Sequence, residues 1–487
     1  MADPDKTLPE QGVGRDEILD RMNALRVGDA DWQSARTWSL VFHHSDEHTA
    51  FLKQAHNLFF DENGLNPMAF KSLKTFESDV VRMTANLFHG GREAVGTMTS
   101  GGTESIMLAV RTYRDRARDK SPRIKAPEIV VPDSVHVAFD KAGKYFDVKI
   151  VHVPVDARCA VDVEAVKRRI NRNTIAVVGS APCYPYGVVD PIPELAELAR
   201  EHGIGCHVDA CVGGFFLPFL EALGYDTPRF DFRLPGVTSI SADLHKYGYS
   251  AKGASTITYR SMDYLRYQFF VYVDFPGGVF ASPSMPGTRP GGNIAAAWAD
   301  MHALGREGYI DNVRNVMAVT KKLREGIEAI SGLAIVGQPH MSLMAYESKD
   351  KKVNIYAVGD FLERRGWHVD RQQKPASLHL MVNPNHAPVA DKYLSDLREA
   401  VEYVKAHPNA ALSGSAPAYG LMSNVPLRGL VKKNVLQMME AMYSAEGTMP
   451  DLGNVEMSED GEPTSLAAPP GVPKLVFWLM KLWSRFR

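Results

Sequence analysis

From about residue 60 to 320, short apolar runs rich in β-branched residues and bounded by Pro, Gly or Asp alternate with segments of helical periodicity. That alternation constrains the fold more than any other feature of the chain. E-I-V-V-P (128–132), K-I-V-H-V-P (149–154), T-I-A-V-V-G-S (174–180), G-C-H-V-D-A (205–210) and V-T-S-I-S-A-D (237–243) have the length and composition of strands covered on both faces. Joined through helices, such strands make βαβ units and a large doubly wound, mainly parallel sheet, so the fold class is α/β. A long amphipathic helix between 312 and 330 leads into a second unit. There L-A-I-V-G, H-M-S-L-M-A-Y and L-H-L-M-V-N read as strands and 353–366 and 391–406 as helices, a smaller C-terminal α/β domain. The expected order is an N-terminal arm at 1–60, a large domain at 61–318, a small domain at 319–446 and a tail at 447–487.

The arm carries a helical stretch at 16–25 with Ile18, Leu19, Met22 and Leu25 at helix spacing, a stripe that must dock elsewhere. The tail opens with a Gly-, Pro-, Ser- and acid-rich linker that cannot bury a core. It ends in K-L-V-F-W-L-M-K-L-W-S-R-F-R (474–487), where Lys474, Lys481 and Arg485 share one side of a helix and Trp478 and Trp483 stand among the apolar remainder. Such a helix is too short to cross a bilayer and suits the headgroup layer; packing on the protein itself or on a partner is the other reading.

With 45% hydrophobic and 23% charged residues among 487, the chain is an ordinary globular protein of more than one unit. Its formal charge of -2 provides no general field for nucleic acid phosphates, so nucleic acid is not an expected partner. The four cysteines, Cys159, Cys183, Cys206 and Cys211, form no C-x-x-C pair and read as reduced thiols, and their spacing with His suggests no metal site. The N-terminus lacks the apolar core of a secretory signal, and no run of about 18 apolar residues occurs. These features point to a cytoplasmic protein, with the tail able to touch the inner membrane face.

Three segments carry candidate chemistry. T-S-G-G-T-E-S runs straight into a helical pattern, so the free N–H groups around Gly101, Gly102 and Thr103 form an anion seat at a helix start, or simply a glycine turn with a threonine cap. H-V-D-A-C-V-G-G-F ends a strand at Asp209, where an acid faces the crevice of an open α/β sheet or serves as a cap. S-I-S-A-D-L-H-K-Y-G-Y-S-A-K-G places Lys246 just past the next strand beside His245 and Tyr247, as a nucleophilic amine or a solvated lysine. Together, a phosphate cradle, an acid and an amine are what pyridoxal 5'-phosphate requires.

These segments, with G-T-R-P-G and R-P-G-G-N-I-A-A-A-W in order, resemble the fold-type I, group II pyridoxal phosphate-dependent decarboxylase-like family. Within it they are most similar to the sphingosine-1-phosphate lyases of the bacterial type, over about 29 to 443. The resemblance implies Lys246 as Schiff-base lysine, Asp209 as partner of the pyridinium nitrogen, Gly101, Gly102, Thr103 and His245 at the cofactor phosphate, and His136 stacked on the ring. It further implies Lys252 at the substrate phosphate, and a homodimer in which Thr288 reaches the partner's cofactor. The implied reaction is retro-aldol cleavage of the C2–C3 bond of a long-chain base phosphate to a fatty aldehyde and phosphoethanolamine.

The chain departs from the lyases in one region. Where they carry S-G-x-x-Y and N-P-L-H-P, supplying a Tyr and a His near the substrate phosphate, this chain has W-S-L-V-F-H-H and N-G-L-N-P. Phe42 and Asn66 then stand in those places, with Asn63 retained. A phenyl ring donates no hydrogen bond and an amide carries no charge to offset a phosphate, so His43, His44 or Lys252 must compensate or the substrate differs. An amino-acid decarboxylase is the alternative function, since the same constellation serves loss of carbon dioxide. A non-catalytic membrane-associated scaffold is a third, opposed by the presence of both Lys246 and Asp209.

Overall fold

A computed structural model describes residues 7–407, 410, 416 and 428–445. The linker and the basic helix expected at 447–487 lie outside the described residues.

The large sheet has seven strands, β1 (Val95–Thr99), β2 (Glu128–Pro132), β3 (Lys149–Val153), β4 (Thr174–Ser180), β5 (Gly205–Asp209), β6 (Ser239–Ala242) and β7 (Ser255–Tyr259), in the order β1-β7-β6-β5-β4-β2-β3. The strands β2 to β6 are parallel and stand where the apolar runs place them. Their side chains alternate between two apolar layers: Ile129, Val131, Ala176 and Val178 pack on one side with Ile106, Leu108 and Phe139, while Val130, Val177 and Val208 pack on the other with Ile192 and Val316. This double coverage is why the strands read as unbroken apolar runs.

Two strands of the large sheet escape the sequence reading. V-G-T-M-T and S-T-I-T-Y are rich in hydroxyls, yet β1 and β7 are largely buried because those hydroxyls bond the neighbouring backbone, as Thr256 Oγ1 does to the Ala242 carbonyl and Thr258 Oγ1 to that of Ile240, each at 3.1 Å. The strand β7 runs antiparallel to both β1 and β6. Hence β1 points the same way as β4, β5 and β6, and the carboxyl ends of all four open on one edge.

A short hairpin of β8 (Phe270–Tyr272) and β9 (Phe280–Ser282) follows. The second sheet is antiparallel, with β10 (Leu333–Ile335), β11 (Leu343–Ser348), β12 (Asp370–Gln373) and β13 (Ala376–Met381) in the order β10-β11-β13-β12. The polar strand β12, D-R-Q-Q, gives no apolar signal and is only half-buried. The helix joining the two sheets starts earlier than its periodicity suggests. It spans Gly291–Glu328 and is interrupted at Gly305, whose φ of 56° and ψ of -177° break the periodic pattern before Asn312.

Part of the expected arm is built into the body. The helix Asp46–Asn57 packs along Gly291–Glu328. Ahead of it, the Trp38 ring is buried against His386 at 4.2 Å and Trp367 at 5.8 Å, and the Trp38 carbonyl accepts from Met381 N at 2.8 Å. The helix Arg15–Leu25, by contrast, buries none of its residues, and its Ile18, Leu19, Met22 and Leu25 stripe stands exposed.

Candidate active site

The shared carboxyl edge of β1, β4, β5 and β6 borders a cavity of about 500 Å³ lined by Gly101, Gly102, Thr103, His136, Asp209, His245, Lys246, Lys252 and Phe42. Nine of the twelve residues singled out from the sequence therefore meet in one place. The other three do not. Asn63 bonds Thr288 Oγ1 at 3.2 Å and accepts from Leu65 and Arg289 amides, Asn66 caps its own turn through the Met68 and Ala69 amides, and none of the three lines this cavity.

Asp209 sits at the end of β5, 7% exposed. Its Oδ1 accepts from the Cys211 amide at 3.1 Å and from Ser241 Oγ at 3.3 Å. Ser241 in turn lies 3.3 Å from His207 Nε2, and His207 Nδ1 lies 2.8 Å from Ser239 Oγ. Burial lowers the His207 pKa to about 4, so its ring is neutral and donates through one nitrogen only. With Ser241 donating to Asp209, His207 must donate to Ser241 and accept from Ser239. This relay fixes Asp209 and leaves Oδ2 without a hydrogen-bond partner among the described residues.

Lys246 follows β6 and lies 3.0 Å from Asp243 Oδ2. Burial disfavours its ammonium, but Asp243, with Asp209 beyond it, outweighs burial and holds the pKa above the ordinary lysine value. Asp243 also accepts from Ser255 Oγ at 2.6 Å; although burial opposes its charge, Lys246 and His245 keep its pKa low. The acid stands three residues before Lys246 in S-A-D-L-H-K, where its strand-end position was the available signal, and the sequence reading passed over it. Cys211, buried beside both acids, is held as a protonated thiol.

Around Gly101–Thr103 the helix Gly102–Lys120 begins, with its free N–H groups toward the cavity. A methyl group at Gly102 would stand 2.7 Å from Cys211 Sγ and 2.9 Å from an Asp243 oxygen, so only glycine allows this close approach. The Ala254 amide donates to His245 Nδ1 at 3.2 Å. Burial, Lys252 and Lys246 together outweigh Asp243 and lower the His245 pKa, so the neutral ring carries its proton on Nε2. His136 accepts from the Ala138 amide through Nδ1 at 3.2 Å, which likewise orients its ring.

At the mouth, Lys252 Nζ donates to the His245 carbonyl at 3.0 Å and lies 5.1 Å from the Phe42 ring centroid. Burial and Lys246 lower its pKa to about 8 against the pull of Asp243. The 37–42 segment, fixed by Trp38, brings Ser39, Leu40 and Phe42 over the cavity. Ser39 and Ser180, both lining residues, have buried hydroxyls with no hydrogen-bond partner among the described residues. An anion seat, a neutral imidazole N–H, a fixed carboxylate, a lysine and two unpaired hydroxyls suit a polar, phosphorylated ring such as pyridoxal 5'-phosphate. Among the described residues there is no metal-ligand cluster, and no helix is long and apolar enough to cross a membrane.

Comparison with known proteins agrees with this donor set. Residues 63–349 match the model of the pyridoxal-dependent decarboxylase conserved domain. A sphingosine-1-phosphate lyase of Arabidopsis thaliana is 44% identical over 90% of this chain and 81% of its own, and a probable sphingosine-1-phosphate lyase of Legionella pneumophila is 34% identical over 86% and 71%. The solved structure of sphingosine-1-phosphate lyase from Burkholderia pseudomallei superposes with a TM-score of 0.82 at 36% identity, covering 90% of this chain and 97% of that one. The chain belongs to the pyridoxal-dependent decarboxylase family and, within it, to the sphingosine-1-phosphate lyases.

Proposed function

We propose that the protein is a pyridoxal phosphate-dependent aldehyde-lyase that cleaves the C2–C3 bond of sphingosine-1-phosphate or a related long-chain base phosphate, yielding a fatty aldehyde and phosphoethanolamine. The observation that carries the reading is one cavity in which Lys246 lies with Asp209 and the Gly101–Thr103 seat, while a second cation, Lys252, waits at the mouth. When bound, the cofactor supplies a sink for the electrons of the bond broken at the substrate's amine-bearing carbon.

The chain's own residues do the rest. Gly101, Gly102 and Thr103 present backbone N–H groups to the cofactor phosphate, and His245 adds its Nε2 proton. Asp209, held by the Ser241–His207 relay, would keep a proton on the ring nitrogen. His136 would help to hold the ring. Lys246 supplies the amine, with Asp243 ready to pair its ammonium whenever that nitrogen is released. Lys252 offers a positive charge to the substrate phosphate. A base takes the C3 hydroxyl proton as the C2–C3 bond breaks and the carbonyl forms on the departing aldehyde, and a proton taken up at C2 balances it.

The working unit in this reading is a homodimer. The exposed apolar stripe of Arg15–Leu25 and the exposed Val271, Val273 and Val279 of the hairpin support it, since such surface is normally covered. Thr288, Asn63 and Asn66, which do not line their own chain's cavity, then serve the partner's. Basic residues and tryptophans at 474–487 support contact with a membrane surface, where a lipid substrate resides. The test is incubation of the cofactor-loaded protein with sphingosine-1-phosphate, with aldehyde measured by mass spectrometry beside Lys246→Ala. Aldehyde from the parent alone is the expected result; its absence from a fully loaded parent refutes the substrate assignment.

A further inference from the structure

Glu104 has no part in the roles above, yet its side chain ties the anion seat to the 285–289 segment. It lies in the first turn of the helix Gly102–Lys120, is 7% exposed, and has no ion-pair partner among the described residues. Its Oε2 accepts from both the amide and the hydroxyl of Ser100, each at 2.7 Å, and its Oε1 accepts from the Met285 amide at 2.9 Å. Ser100 opens the anion seat. Met285 stands three residues before Thr288.

The segment that begins at Met285 is stiffened by its own bonds. Ser284 Oγ donates to the Pro286 carbonyl at 3.1 Å, Asn63 donates to Thr288 Oγ1 at 3.2 Å and accepts from the Arg289 amide at 3.1 Å, and the Arg289 guanidinium grips Glu77 at 2.7 and 3.0 Å. A buried carboxylate with three donors from two segments transmits order between them, because releasing either leaves charged oxygen unsatisfied. An anion held by the free N–H groups of the seat fixes the Ser100 backbone, and with it the carboxylate that holds Met285.

We infer that Glu104 is a positioning residue that couples occupancy of this chain's cofactor seat to the order of its 285–289 segment, the segment offered to the partner. The inference deepens the dimer reading and rests on it for the destination of that segment. Loading one subunit then prepares its neighbour's site.

The test is hydrogen exchange of the 282–290 peptide in the full-length protein, with and without pyridoxal 5'-phosphate, and with inorganic phosphate alone. In the parent, cofactor is expected to slow exchange there about fivefold or more, and phosphate alone to give part of that effect. Glu104→Gln has one carbonyl oxygen for two segments and turns an NH2 toward an N–H. Glu104→Asp is one methylene shorter and cannot span both. In each variant, exchange should be fast and unchanged by cofactor, whereas a purely structural role would shift bound and free forms equally. Equal slowing in parent and variants overturns the inference, as does a parent whose 282–290 exchange ignores the cofactor, so the result does not depend on either variant folding. Sedimentation separates the underlying reading: a monomer refutes delivery to a partner, while a dimer without cofactor-dependent exchange refutes the coupling.

Discussion

Gly102→Ala places a methyl group where the cavity wall is closest to the helix start. Its carbon would stand 2.7 Å from Cys211 Sγ and 2.9 and 3.0 Å from the two Asp243 oxygens, against ordinary contacts of about 3.5–4 Å. Neither neighbour yields easily. Cys211 is buried, with its amide bonded to Asp209 at 3.1 Å and its thiol to Ser241 at 3.4 Å, while Asp243 is pinned by Ser255 at 2.6 Å and Lys246 at 3.0 Å. The loop Ser100–Thr103 must therefore move by roughly 1 Å, at the usual overpacking cost of about 1–3 kcal/mol. Since that loop is the anion seat, the cost falls on cofactor binding, as a loss of about 5- to 150-fold in Kd. Titration of the cofactor-free protein with pyridoxal 5'-phosphate, followed by its visible absorbance, reads this directly. A second change, Cys211→Ala, removes the nearest atom, so the double variant should recover part of the affinity. Parent-like affinity in Gly102→Ala refutes the reasoning; a loss seen only as lower thermal stability of the cofactor-free protein refutes its placement in the seat.

Lys252 has a pKa near 8 while Lys246 is charged, so in the cofactor-loaded enzyme, where Lys246 is engaged, kcat/KM for a phosphorylated base should fall as pH rises through a midpoint above 8, and Lys252→Arg should hold the profile flat to higher pH. Phe42→Tyr adds a donor where the ring lines the cavity, and a hydrogen bond to phosphate should lower KM for the phosphorylated base about tenfold, with no change expected for an unphosphorylated amine. Asp190 accepts from the Ser180 and Val161 amides, each at 2.8 Å, and burial raises its pKa to about 7. The folded state thus keeps a proton that the unfolded chain releases near pH 4, and this carboxyl's contribution to stability falls as pH rises from about 4 to about 7. Asp190→Asn should flatten that part of the urea-melt profile and cost about 1–3 kcal/mol for the orphaned amide.

The core of the sheet was legible because β2, β4, β5 and β6 are buried along their whole length, which forces apolar runs with abrupt ends. Asp209 and Lys246 were legible for the same reason: they stand where such runs stop, and an open parallel sheet gathers its strand ends on one edge. The strands β1 and β7 were not, because their hydroxyls are satisfied only by neighbours that sequence does not reveal. Glu104 was equally hidden, since its meaning lies in a 2.9 Å approach to Met285 from across the chain. Asn63, Asn66 and Thr288 illustrate the converse: their motifs were readable, but only the fold separates them from the cavity that holds Lys246.

The two lysines of the site are not independent, and this gives its assembly an order. Asp243 holds Lys246 as an ammonium, and that charge, after burial, is what depresses Lys252. Whatever removes the charge on Lys246, whether covalent use of its nitrogen or its replacement, makes the charge on Lys252 easier to hold. Lys252 then becomes a better partner for a phosphate at the mouth only after Lys246 is engaged, so cofactor should precede substrate. In Lys246→Ala, the pH midpoint for reaction of Lys252 with an amine-selective reagent, located by peptide mass spectrometry, should move upward from about 8. An unmoved midpoint would mean that burial alone sets the Lys252 charge, and the order of assembly would lose its electrostatic cause.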